Sequence, residues 1–278
     1  MTEESYARPA VVAGMFYPEH ERDLRATVDS LLAGVRQRGE KGRLVAIIVP
    51  HAGYMYSGST AAQAYSLLMG RKKMTVVIVG PSHREYFDGV SVFSGSSFTT
   101  PLGAVEVDCE LRTALLAKIP ILRSSLEGHR SEHSIEVQIP FLQRSISNLK
   151  IVPIVIGNQK KEYCEELGSG LAEVARDEDV LLVASSDLSH YYTSDMAQKL
   201  DAIAIASIQE LDYRKLMKDI DAEKTEACGG GPIVSVMAAA TKLGADVCTI
   251  LHACNSGEVS GDTERVVGYV SAAMWKTH

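Results

Sequence analysis

Three short apolar runs set the strongest limit on what this chain can fold into: Val45-Ala46-Ile47-Ile48-Val49, Val76-Val77-Ile78-Val79 and Val180-Leu181-Leu182-Val183-Ala184. A strand with one wet face alternates apolar and polar residues, whereas a strand covered on both faces does not. Each run is shorter than a buried helix and rich in branched side chains. Each is cut off at once by Pro50, by Gly80-Pro81 or by Ser185-Ser186. They predict an α/β domain whose central sheet, mostly parallel or mixed, is flanked by helices. Ligands of such sheets sit beyond the carboxyl ends of the strands. There the chain carries His51, then His83 in Gly80-Pro81-Ser82-His83, then Asp187 and His190 in Ser185-Ser186-Asp187-Leu188-Ser189-His190.

The rest of the chain supplies the covering helices and the sheet margins. Helical spacing runs from Glu21 to Gln37, and further helices are expected over Ser59–Met69, Lys161–Arg176, Asp195–Glu210 and Asp212–Asp219. Asp108 caps a short helix reaching Lys118, and Pro232 opens a helix through Leu243. Another helix is expected from about Ser134, with a kink or break near Pro140. Strands are expected over Gly89–Phe93, Gly103–Val107, Lys150–Ile156, Ala245–Ala253 and Arg265–Met274. Residues 36–43, 95–100 and 255–263 read as loops, and 119–127 as short and mixed. No repeat or linker divides the chain, so residues 1–278 are expected to form one domain.

Charge and cysteine usage narrow the function classes. Lys plus Arg is 28 and Asp plus Glu is 35, so 28 − 35 = −7, which speaks against nucleic acid or an anionic membrane as partner. No stretch approaches the ~20 apolar residues of a membrane helix. Met1-Thr2-Glu3-Glu4-Ser5 has neither the basic nor the apolar region of a signal peptide. The five cysteines are odd in number and form no C-x-x-C, which fits reduced thiols and a cytoplasmic location.

Four groups of residues can carry chemistry. His51 and His83 follow strands that look adjacent; two imidazoles and an anionic ligand leave open positions on a metal. Each could equally cap a strand or bond to a loop. Cys228 precedes three glycines and a helix start, where the helix end favours thiolate. It could be a third metal ligand, a nucleophile beside a histidine, or a buried spacer. Asp187 and His190 could form a carboxylate-oriented acid/base pair, an outer partner of a metal ligand, or a loop cap. Glu132, His133 and Glu136 form the last group, the two glutamates spaced to share a helix face. They serve a cleft or a solvated helix start. Tyr54, after Gly53, shapes a pocket or packs. No P-loop and no G-x-G-x-x-G supports a nucleotide site, and no H-E-x-x-H supports a zinc protease.

Together the motifs Pro50-His51-Ala52-Gly53-Tyr54, Gly80-Pro81-Ser82-His83, Thr100-Pro101-Leu102-Gly103, Glu132-His133-Ser134-Ile135-Glu136, Ser185 to His190, Cys228-Gly229 with Pro232, Asn255-Ser256-Gly257 and Val266 to Val270 resemble the Memo family, in its order and over nearly the whole chain. Its prokaryotic members are called AmmeMemoRadiSam system protein B. The resemblance implies a fold similar to class III extradiol dioxygenases, with a cysteine replacing the carboxylate ligand of those iron enzymes. By motif, His51, His83 and Cys228 would hold iron or copper. Asp187 and His190 would line the same cleft in a proton-handling role, with His133, Glu136 and Tyr54 as further candidates for its wall. Thiolate is softer than carboxylate, which weakens the analogy to ring cleavage. Three functions follow: a metal-dependent oxidoreductase acting on a small molecule or peptide, a metal- or peptide-binding protein without turnover, or cysteine chemistry without metal. The family name also implies a radical-SAM protein as partner.

Overall fold

The computed structural model describes residues 3–36, 42–177 and 179–278. The expected loop over 36–43 and the end of the first helix at Gln37 lie largely outside the described residues. In chain order the strands are β1 (Ala7–Arg8), β2 (Arg43–Val49), β3 (Arg71–Pro81), β4 (Val90–Phe93), β5 (Ser97–Thr100), β6 (Gly103–Val107), β7 (Leu122–Ser125), β8 (Ile146–Ile156), β9 (Val180–Ser185), β10 (His190–Tyr192), β11 (Val247–Asn255) and β12 (Val266–Lys276). They form one 12-stranded mixed sheet in the order β1-β5-β6-β8-β3-β9-β2-β12-β10, with β11 on β12 and β4 bridging β8 and β7. Its heart, β6-β8-β3-β9-β2, is parallel. Strand β12 then adds antiparallel to β2, and β11 antiparallel to β12.

The apolar runs do what their lack of alternation predicts. Ile47, Val49, Val76, Ile78, Leu181 and Val183 enter one core; Ala46, Ile48, Val77, Val79, Leu182 and Ala184 enter the other. Successive side chains on a strand face opposite ways, so a strand feeding two cores must be apolar at every position. One face is covered by α1 (Glu21–Ala33), α2 (Tyr54–Tyr65) and α4 (Ile139–Ser145), which contribute Leu24, Val28, Ala62, Tyr65 and Phe141. The other is covered by α3 (Cys109–Lys118), α5 (Lys161–Val174), α6 (Ser194–Gln209), α7 (Tyr213–Asp221) and α8 (Gly230–Lys242). A four-residue helix, α9 (Gly257–Ser260), closes the list. None of the described helices is long and apolar enough to cross a membrane.

Several boundaries differ from expectation for identifiable reasons. Helix α2 begins at Tyr54, directly after Gly53, and not at Ser59. Its early turns set Gly58 against α1, where a β-carbon on Gly58 would stand 2.9 Å from Leu31. Pro140 neither kinks nor breaks a helix; it sits in the first turn of α4, where its missing N–H costs nothing. The segment expected as a loop over 95–100 contains β5, stabilised by antiparallel pairing to β6 and parallel pairing to β1. The mixed segment 119–127 contributes β7 through its partner β4. The loop over 255–263 contains α9. Asp108 caps α3 as expected, accepting the Leu111 N–H at 3.1 Å.

Candidate metal centre

The ends of β2, β9 and β3 define the centre. These strands are neighbours in the order β3-β9-β2. The strands leading to His51 and His83 are therefore not adjacent, as the sequence suggests. Strand β9 lies between them; its last residue, Ser185, reaches His51 Nδ1, and Asp187 just beyond it accepts the His51 backbone N–H, while the two imidazoles meet edge to face with ring centres 5.0 Å apart. Cys228 arrives from the far side, where the chain enters α8. At Gly229 the backbone comes so close to β9 that a β-carbon would collide with the Ser185 carbonyl. The glycine thus serves an approach to the sheet.

Donor atoms of His51, His83 and Cys228 all lie within 4.8 Å of one another. The His51 Nε2 is 3.1 Å from the Cys228 sulfur. The His51 Nδ1 is turned away, 2.9 Å from the Ser185 hydroxyl. The His83 Nδ1 is likewise engaged, 2.9 Å from Glu132 Oε1. Each imidazole thus keeps its second nitrogen for the centre, an arrangement typical of metal-ligating histidines. Two imidazoles and one sulfur suit a borderline or soft transition metal.

The electrostatics of the centre follow from burial and from the groups that face one another there. Burial pushes the Cys228 thiol well above its ordinary range, and the Asp187 carboxylate adds to the push. Burial also pushes the Asp187 carboxyl up, against the hydrogen bond from the His51 N–H. Burial holds His51 well below its ordinary value, helped by His83, His133 and His190. The helix end near Cys228 does not yield a thiolate by itself, because desolvation outweighs it. A cation among these groups would draw the Cys228 thiol and the Asp187 carboxyl back down and would hold His51 neutral.

The cleft above has a volume of about 500 Å³ and is lined by Phe16, His83, His133, Asp187, His190 and Tyr191, among others. Three expectations need correction here. Glu136 does not line it: fully buried, it pairs with Arg8 at 2.6 Å and accepts from Val11, Val12 and Tyr17. Tyr54 does not line it either; its ring is in the core and its hydroxyl donates to the Val137 carbonyl at 2.6 Å. And Asp187 does not orient His190. The His190 Nδ1 lies 2.7 Å from the Leu188 carbonyl, while Asp187 accepts from the His51 backbone.

Other residues escaped sequence reasoning. Phe16 packs 4.6 Å from His133, ring centre to ring centre. Tyr191 lines the cleft in a left-handed conformation, φ 66°, at an irregularity in the pairing of β10 with β12. Glu226 fixes the His190 backbone N–H at 2.6 Å. Gln138 bonds both Pro50 and Ser185. A polar residue inside the apolar stretch Ile135 to Leu142 was the available signal for Gln138. Glu132 also stands close to His83 and His133, all three within 4.8 Å. Its carboxylate, however, takes the N–H groups of His83, His133 and Ser134, which marks it as a holder of His83.

Comparison with known proteins agrees with this architecture. The profile of the family described as "Memo-like protein" matches residues 8–273. A MEMO1 family protein of Aquifex aeolicus is 40% identical over 95% of this chain and 97% of its own length. Another from Methanosarcina mazei is 39% identical over 95% and 97%. The crystal structure of an uncharacterised protein from Escherichia coli K12 superposes with a TM-score of 0.56 at 18% identity, covering 83% of this chain and 99% of that one. At that identity the likeness bears on the fold alone.

Proposed function

Because the chain belongs to the Memo-like family, we propose that it is a metal-dependent oxidoreductase in which His51, His83 and Cys228 hold iron or copper. The observation that carries this is the convergence of three donors, distant in sequence, to within 4.8 Å at the floor of an open cleft. The bound metal would supply electron transfer and a Lewis-acidic face towards a small molecule or peptide end. The sulfur ligand favours copper in its reduced state. The residues around the centre have separable tasks. His190 gives its Nδ1 proton to the Leu188 carbonyl, so Nε2 is its acceptor and can take a proton from a substrate hydroxyl. Phe16 and Tyr191 wall the cleft and limit water. Glu132 holds the His83 ring.

Cysteine chemistry without metal is poorly supported. A standing thiolate–imidazolium pair is opposed by burial, which drives both Cys228 and His51 towards their neutral forms. All five cysteines are free, which supports a reducing, cytoplasmic setting.

The test is metal analysis of anaerobically purified protein, followed by titration with Co(II), whose thiolate charge-transfer band reports sulfur ligation. One equivalent is expected in the native chain, and loss of that site in Cys228→Ser and in His51→Ala. Oxygen consumption with a reductant, abolished in both variants, supports turnover. A native chain that takes up no metal and shows a rapidly alkylated thiol would overturn the proposal.

A further inference from the structure

The two imidazoles of the centre are held in different ways. His83 uses a carboxylate, Glu132. His51 has none on its Nδ1 side: Asp187 bonds the His51 backbone N–H, and its other oxygen lies 4.0 Å from Nε2. The Nδ1 atom meets only the neutral hydroxyl of Ser185 among the hydrogen-bond partners found for it. A hydroxyl both donates and accepts, so by itself it does not choose a tautomer.

The surrounding bonds make that choice. Gln138 Nε2 lies 2.9 Å from the Pro50 carbonyl. Only a nitrogen can sit there, since two carbonyl oxygens repel. The amide is thereby oriented, and its Oε1 accepts the Tyr65 hydroxyl at 2.8 Å. The second Nε2 proton then points to the Ser185 oxygen, 2.9 Å away. Ser185 has a single proton, and the Ser134 carbonyl, 2.6 Å distant, can only accept it. Nothing but lone pairs remains on the Ser185 oxygen. One receives Gln138, and the other can face His51 Nδ1 only if that nitrogen carries hydrogen.

We propose that Ser185 and Gln138 are positioning residues that lock His51 as its Nδ1–H tautomer and so keep the Nε2 lone pair aimed at Cys228. An unrestrained histidine in water favours the opposite tautomer, with the proton on Nε2, where it blocks ligation. Ser185 and Gln138 are both buried, so water does not compete for these bonds. The lock reaches His51 from three separate segments: Pro50, the end of β9, and the turn Ser134 to Gln138. That turn also begins beside Glu132, so one short stretch orients both histidines. The role in metal uptake rests on the proposed metal site; the tautomer itself does not.

The test is long-range ¹H–¹⁵N correlation of the histidine rings in metal-free protein, with His51 assigned by its loss in His51→Gln. The native chain should show His51 with hydrogen on Nδ1 and a bare Nε2. In Ser185→Ala the Nε2–H form should appear, and Co(II) affinity should fall by about 10–100-fold, the usual cost of losing an outer partner of a ligand. A native His51 carrying its proton on Nε2 overturns the proposal, and so does a Ser185→Ala variant that stays wholly Nδ1–H. The native spectrum decides even if the variant folds poorly. Native protein showing the expected tautomer and its expected loss, but binding no Co(II), upholds the lock and sinks the metal site.

Discussion

Glu132 and Glu136 are the same residue type, one helical turn apart in sequence, and both are buried. They nevertheless serve different ends. Glu136 meets a permanent cation: Arg8 pairs with it at 2.6 Å, and two backbone N–H groups and the Tyr17 hydroxyl complete its shell. Arg8 in turn stacks over Phe98 and donates to the carbonyls of His129 and Glu132. This knot ties residues 8–17 to the body of the fold and brings Phe16 to the cleft. Glu132 meets groups that can lose protons. Burial would raise its carboxyl, yet the hydrogen bonds and charge of His83, with His133, hold it down at about 2. A fixed partner makes a buried carboxylate a fastening; a titratable one makes it part of a site.

One substitution made at both places should separate the two roles. Glu136→Gln leaves the Arg8 charge buried and uncompensated, and should cost about 3–5 kcal/mol in urea unfolding. Folded molecules of that variant should still bind one Co(II); equal losses of affinity at both positions would erase the distinction. Glu132→Gln should destabilise less but weaken Co(II) binding by about 10–100-fold, roughly 1.4–2.7 kcal/mol, read by titration. A third effect is one of pH, on the Arg8 side. Burial pushes His129 down to about 3. The unfolded chain therefore takes up that proton first, from about pH 6.5 downwards. His129 thus contributes stability that is intact above pH 6.5 and is lost as pH falls towards 3. The loss reaches about 1.4 kcal/mol per pH unit. In His129→Leu the fall in stability between pH 6.5 and 5 should be shallower by that amount. Parallel curves would show that the imidazole is already neutral in the unfolded chain or charged in the folded one.

The fold and its site were legible in the sequence to different depths. Apolar runs without alternation reveal a doubly covered sheet, and the polar residues just after them reveal where its chemistry lies, because both are local patterns. Strand order is not local. Nothing in the runs at 45–49, 76–79 and 180–184 says that the last inserts between the other two. The contacts of Glu132 and Glu136 were hidden for a related reason. Spacing of four implies one face only in a helix, and here Glu132 lies in a loop while Glu136 opens a single 3₁₀ turn, Glu136–Gln138. Arg8 lies in a two-residue strand whose place depends on a partner 128 positions away. Ser185 was visible as part of a motif, but its use depends on counting protons among Ser134, Gln138 and His51, which only coordinates allow.

The order of the donors along the chain has a consequence for biosynthesis. A ribosome completes both histidines long before it reaches residue 228, and the strand that separates them, β9, is also made late. No pair of donors shares a local segment that could chelate while the polypeptide is still emerging. The three donor side chains can therefore meet only once the sheet is complete, so the candidate site takes shape together with the walls of its cleft.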